Sequence, residues 1–171
     1  MKTAKSSAVL IFTVVFLLMT PVLALPKTNS QFTETVSIAN AGNVSQGTVG
    51  TAGSVLFVAG AISTGCVTYR SGVDLSGDLW TKLTGFYDTS TLLGFFYGKW
   101  QSTTPKGTFA GNAAGETTSI DANTFRIRGT YVGFGNGFYQ GNRIKGSFSG
   151  VATAGNLQIS LVMIGVLSDK M

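Results

Sequence analysis

The chain has 171 residues, with 12 basic side chains against 7 acidic ones, a single cysteine and no histidine. The lack of histidine removes Ser-His-Asp and Cys-His catalysis and takes away zinc's commonest nitrogen ligand. One cysteine, Cys66, excludes an intramolecular disulfide, and a basic surplus this small gives no electrostatic footprint for nucleic acid.

Residues 1–24 read as an export signal. Lys2 and Lys5 give a positive start, residues 8–19 form an apolar run broken only by Thr13, and Pro21 precedes Val22-Leu23-Ala24, which suits cleavage after Ala24. The alternative is an uncleaved anchor over residues 8–25, a stretch that only just reaches spanning length and is interrupted by Pro21. The expected location is therefore outside the cell or at its surface. Membrane contact is expected only through 8–25, and only if the signal is retained.

Residues 25–53 read as an N-terminal strand followed by a flexible loop, and 54–171 as an antiparallel β-barrel. In the segment QFTETVSIA, 31–39, Gln31, Thr33, Thr35 and Ser37 share one strand face, and Phe32, Glu34, Val36 and Ile38 share the other. Glu34 thus puts a carboxylate on an apolar face. It is the one candidate catalytic group, a cavity acid whose pKa burial would raise. The competing reading is an inward charge that guards an edge strand. The loop at 40–53 is rich in Gly, Ser and Asn, and its Asn43-Val44-Ser45 fits the N-glycosylation pattern.

Further strands are expected at 54–62, 66–70, 78–87, 91–101, 106–113, 124–133, 143–153 and 157–167, joined by short turns. One of those turns is Ala154-Gly155-Asn156, and the first two strands pair across Ser63-Thr64-Gly65. Asp74, Asp78 and Asp88 read as turn formers. Cys66, between Gly65 and Val67, reads as a buried inert thiol. Arg126, Arg128, Arg143 and Lys145 read as a solvated outer face. No helix is expected after the leader.

The pattern Gly-x-aromatic-x-Gly occurs four times, at 94–98, 107–111, 137–141 and 146–150. In a strand it sets a ring between two glycines on one face. Rings from neighbouring strands can cover the bare backbone, and glycine lets the sheet curl and close. The fold class is therefore all-β: one small antiparallel barrel of about eight strands, whose interior is just wide enough to be filled by side chains or to hold one small ligand. Trp80, Phe96, Trp100 and Tyr131 are the aromatics expected to line such a cavity. Ordinary barrel core is the competing reading for all four.

The segment GNGFYQGNRIKGSFSG, 135–150, resembles the hairpin of the allene oxide cyclase and dirigent-like barrel superfamily. Gly135, Gly137, Tyr139, Gly141, Gly146 and Phe148 fall on that pattern, and Ile144 stands where a glycine is common. KGTFAGNAAGETT, 106–118, is similar to another element of exported barrels of this type. The resemblance implies an eight-stranded barrel with an apolar interior that takes hydrophobic substrates for cyclisation or stereocontrolled coupling. No catalytic residue of those relatives maps onto this chain.

Three functions remain open on the sequence. The leading expectation is a binding module for an apolar small molecule, with no metal or other cofactor and no nucleic-acid partner. The alternatives are a cyclase or isomerase acting on a hydrophobic substrate, with Glu34 as its acid or base, and a filled barrel serving as a structural or surface module. No sequence feature specifies an oligomeric state.

Overall fold

The computed structural model of the protein describes residues 29–154 and 158–169. The expected leader, its cleavage point and the alternative anchor lie outside the described residues, as do Gly155 and Asn156 of the expected last turn.

Nine strands follow one another: β1 (Asn29–Ile38), β2 (Thr48–Ala52), β3 (Val55–Gly72), β4 (Gly77–Asp88), β5 (Leu93–Thr104), β6 (Gly107–Ser119), β7 (Thr124–Gly137), β8 (Arg143–Thr153) and β9 (Gln158–Ser168). They form one antiparallel sheet in the order β1-β9-β8-β7-β6-β5-β4-β3-β2, and a further pairing of β1 with β3 closes it. Eight strands, β1 and β3 to β9, are the staves of a barrel. β2 lies outside the closure, paired with the first part of β3. Sequential neighbours from β3 to β9 pair with each other, as an up-and-down barrel requires.

Alternation decides which side of each strand enters the core. On β7, Ile127 and Tyr131 are buried while Arg126, Arg128 and Thr130 are exposed, and Arg128 pairs with Glu116 on the outer face of β6. On β8, Ile144 and Phe148 turn in while Arg143 and Lys145 turn out. Cys66 follows the same rule against expectation. It lies one residue from inward Val67, so its thiol is on the exposed face.

Two expectations fail around β3. The runs 54–62 and 66–70 are not two strands of a hairpin but one strand of 18 residues. Ser63-Thr64-Gly65 continues the ladder with β4, and the irregularity falls earlier, at a bulge between Val58 and Ala61 where Gly60 takes φ +72°. The turn-like composition of 63–65 reflects what touches it: a Cβ on Gly65 would lie 2.8 Å from Ile38 Cγ1. The 40–53 stretch likewise contains β2 and is not a single loop. β1 and β2 run along the same edge of β3, β1 on Cys66–Gly72 and β2 on Val55–Ala59. In the gap between them the Asn43 side chain replaces a backbone pair. Its Oδ1 accepts from Thr64 N–H at 2.9 Å and its Nδ2 donates to Thr64 O at 3.2 Å. The amide of the glycosylation pattern is thereby engaged in holding the barrel's seam.

Three of the four Gly-x-aromatic-x-Gly copies sit in strands with the ring turned inward, at Phe96, Phe109 and Phe148. The copy at 137–141 instead forms the β7–β8 turn. Gly137 at φ +67° and Gly141 at φ +84° reverse the chain there, and Tyr139 folds back onto Phe109 with ring centroids 4.6 Å apart. The rings roof glycines one or two staves away. A Cβ on Gly129 would fall 2.5 Å from Phe148, one on Gly133 would fall 2.7 Å from Trp100, and one on Gly165 would strike both Tyr131 and Phe32. Asp74 and Asp88 do form turns, each accepting from the backbone N–H two residues on at 2.9 Å. Asp78 stands within β4 on its outer face.

Candidate functional site

Bare glycine backbone on the inside of the staves leaves room that the rings only partly fill. The remainder is a cavity of about 250 Å³ along the barrel axis. That volume holds far more than the ~10–15 Å³ a single water needs, and it falls just short of the roughly 300–1,000 Å³ usual for drug-sized ligands.

One end of the barrel is shut. Leu75, on the 73–76 connection between β3 and β4, is buried across it, and Tyr139 and Phe109 are buried at the same end. At the opposite end the inward side chains Leu83, Phe96, Thr117 and Leu161 are only half-buried, so the cavity opens in that direction.

Glu34 is the charged residue of the wall. β1 pairs on both sides, with β3 and with β9, so it is not an edge strand and the alternation carries the carboxyl inside. The residue is 2% exposed, and its Oε1 accepts a 2.7 Å hydrogen bond from Leu75 N–H. That bond ties the closing turn to β1. Burial pushes the Glu34 pKa up to about 7, the Leu75 hydrogen bond opposes the rise, and the negative charge of Asp74 adds to it.

Tyr131 faces it from β7. Burial, with the Glu34 charge as a second cause, raises the phenol's pKa, so the O–H stays protonated throughout the physiological range. The ring meets Trp100 edge to face at 5.7 Å. Trp100 donates its indole N–H to Asn112 O at 3.2 Å. The Tyr131 hydroxyl, by contrast, is buried with no hydrogen-bond partner among the described residues, and so are Thr81 Oγ1 and Ser102 Oγ. All three line the cavity. Thr81 stands opposite Trp100, and Ser102 is the next inward residue after Trp100, so the two hydroxyls are diagonal neighbours on the β4–β5 wall. Buried polar atoms in native proteins are nearly always satisfied. Here each oxygen is covered by its neighbours, Tyr131 Oη by the bare backbone of Gly146 and Gly165, so the surface that the cavity offers is apolar.

Of the residues expected to form a site, Glu34, Phe96, Trp100 and Tyr131 come together on the cavity wall. Trp80 does not. It alternates with Asp78 and Lys82 on the outer face of β4, and its ring borders a shallow groove with Thr64 and Gln101. The alternation of Leu79, Thr81 and Leu83 against Asp78, Trp80 and Lys82 carried that information. Sequence reasoning missed Thr81, Ser102 and Leu75. A hydroxyl on an apolar face is the same signal that exposed Glu34, and for Thr81 it was present. Leu75, in a turn, offered none.

Among the described residues, no three or more Cys, Asp or Glu side chains gather closely enough to hold a metal ion. Comparison of the chain with protein-family models, with curated proteins and with solved structures gives no match.

Proposed function

We propose that this protein is an exported binding module that holds one small apolar molecule inside its barrel. The observation that carries the reading is the cavity of about 250 Å³, walled almost wholly by aliphatic and aromatic side chains and opening at one end. Apolar concave sites with a few polar groups are what small-molecule binding sites are made of. A filled, purely structural barrel has less support, because the glycine faces of β5 to β9 leave the axis open. The up-and-down topology and the spacing at 135–150 also support kinship with the allene oxide cyclase and dirigent-like barrels, which remains part of the proposal.

Native mass spectrometry of the protein recovered from an exporting host tests it. Excess mass that leaves on denaturation is the expected result. A bare mass, together with failure to take up any apolar probe, overturns the reading.

A second reading has its own observation. A buried carboxyl with a pKa of about 7 can both give and take a proton at neutral pH, so Glu34 has the properties of a general acid or base for a cyclase or isomerase reaction on a hydrophobic substrate. In that case Glu34→Gln abolishes turnover while ligand uptake survives. Undiminished turnover removes Glu34 from the chemistry.

A further inference from the structure

The open end of the barrel is apolar on its outside as well as its inside. It carries the 89–92 connection between β4 and β5 and the 120–123 connection between β6 and β7. The two lie side by side, since Ser119 donates its N–H to Leu92 O at 3.1 Å. Leu92, Leu93 and Ile120 are exposed there. Just outside the same rim, Phe57, Phe86 and Phe95 stand opposite one another on β3, β4 and β5, each at least 40% exposed, and the rings of Phe86 and Phe95 lie 5.6 Å apart. Leu92 is held at φ +60°, a left-handed conformation in which glycine or asparagine sits more easily. It is 51% exposed, so the barrel itself gains little from a leucine in that place. Among the described residues, the connections of the closed end carry the charges of Asp74 and Lys106, with Phe138 as their one exposed aromatic.

We propose that this rim dips into the surface of an uncharged, zwitterionic lipid bilayer, with the β3–β5 side foremost. The sequence led to membrane contact through 8–25 alone; this contact uses other residues, at the other end of the barrel. Apolar groups face three ways at the rim: outward from the Phe row, along the axis from Leu92 and Ile120, and inward from Leu83 and Phe96. A folded partner would need a socket and a plug at once, whereas fluid acyl chains fill all three directions. The Phe row lies two residues below the outermost row of Asp88 and Leu93, about 7 Å along the strands. That matches the roughly 5–10 Å to which interfacial apolar faces sink. Charge selects the kind of surface. Asp88 and Asp121 stand at the rim, each accepting a backbone N–H, from Ser90 at 2.9 Å and from Asn123 at 2.8 Å. Arg126 is the cation of the outermost row, and Arg128 behind it is paired with Glu116. There is no surplus of cations to favour anionic headgroups. Asn29 and Asp169, where the described chain begins and ends, both lie at the closed end, which leaves the rim as the free end of the molecule. The contact goes beyond the binding function proposed above and needs no guest in the cavity. With a guest, it gives a dry route between the acyl chains and the barrel axis.

The test places a fluorescent reporter at the rim. Leu93→Trp, in the protein recovered from an exporting host, is mixed with vesicles of brominated phosphatidylcholine, with and without added phosphatidylglycerol. Its fluorescence should be quenched beyond that of the native protein, whose Trp80 and Trp100 lie away from the rim. Quenching should be the same with either lipid and should survive added salt. In the same background, Leu92→Asn with Ile120→Asn, and separately Phe86→Thr with Phe95→Thr, should raise the lipid concentration needed for half-quenching at least about tenfold. Phe138→Asn, at the closed end, should leave it unchanged. Circular dichroism shows that each variant is folded, and Leu92→Asn suits the backbone at that position. No extra quenching overturns the proposal. So does quenching that requires the anionic lipid, that disappears in salt, or that survives both double variants. An equal loss in Phe138→Asn overturns it too, because the contact would not then belong to the rim. A dimer that forms without lipid and is lost in the double variants assigns the surface to a second copy of the chain and also overturns it.

Discussion

Glu34 sets the pH response of the molecule. Its carboxyl is raised from 4.5 in the unfolded chain to about 7 in the fold. Below pH 4.5 both states carry the proton and the residue contributes nothing to pH dependence. Between 4.5 and 7 the unfolded chain ionises first, so stability falls as pH rises. Above about 7 the loss is complete and constant, on the order of 3 kcal/mol. No histidine titrates in that window. The depressed carboxyls Asp74, Asp88 and Asp121 are already charged in both states above pH 5, so they do not mask the effect. Urea unfolding at pH 5 and at pH 8 should therefore show the protein less stable at pH 8. In Glu34→Gln, which keeps an acceptor for Leu75 N–H, that difference should largely vanish. An unchanged pH difference in the variant would place its origin elsewhere.

At the scale of strands, the packing unit is a ring on one stave over a glycine on another. Gly165 on β9 shows it best, because the nearest atoms to an added Cβ are side-chain atoms of Tyr131 and Phe32 and not backbone. Overpacking of this kind costs about 1–3 kcal/mol. Gly165→Ala should lower the unfolding free energy by that amount, and Tyr131→Phe, which deletes the clashing hydroxyl, should recover part of it in the double variant. Strict additivity of the two changes would mean that ring and glycine do not interlock.

This same motif made the fold legible. Glycine spacing with inward aromatics pointed to a small closed sheet, and alternation placed β4, β5, β8 and β9 within three residues of their limits but ended β6 six residues and β7 four residues early. Sequence reasoning failed where tertiary contact overrode local composition. Ser63-Thr64-Gly65 has the chemistry of a turn, but Gly65 is small because the Ser37 carbonyl and Ile38 lie against it. The 40–53 stretch has the chemistry of a loop, but the long edge of β3 recruits part of it as β2. The copy at 137–141 fits the same Gly-x-aromatic-x-Gly pattern as the three strand copies and is nevertheless a turn. At the site, Glu34 was visible because a charge on an apolar face is conspicuous. Ser102 and Leu75 depend on long-range register and on the path of a turn, which no local pattern encodes.

The whole molecule is a ring of staves, and its joint is the pairing of β1 with both β3 and β9. Asn29 accepts a hydrogen bond from Ser168 at 2.8 Å across a separation of 139 residues. Because the first stave completes the last, the barrel has no closed form until β9 is in place. All-β barrels, whose closure waits on such a distant pairing, fold slowly, in milliseconds to seconds. Stopped-flow refolding should be slow, and a chain truncated before β9 should give no native-like protection of β1 amides in hydrogen exchange. Protection of β1 in the truncated chain would show that β3 alone secures it.

During synthesis, then, β1 appears before the other staves and is among the last to find both its neighbours. Until the final strand emerges, the chain is a set of hairpins with two open edges and an exposed aromatic interior. Within that interval it can be held by a chaperone or threaded through a narrow pore. Once the seam closes, neither remains open to it.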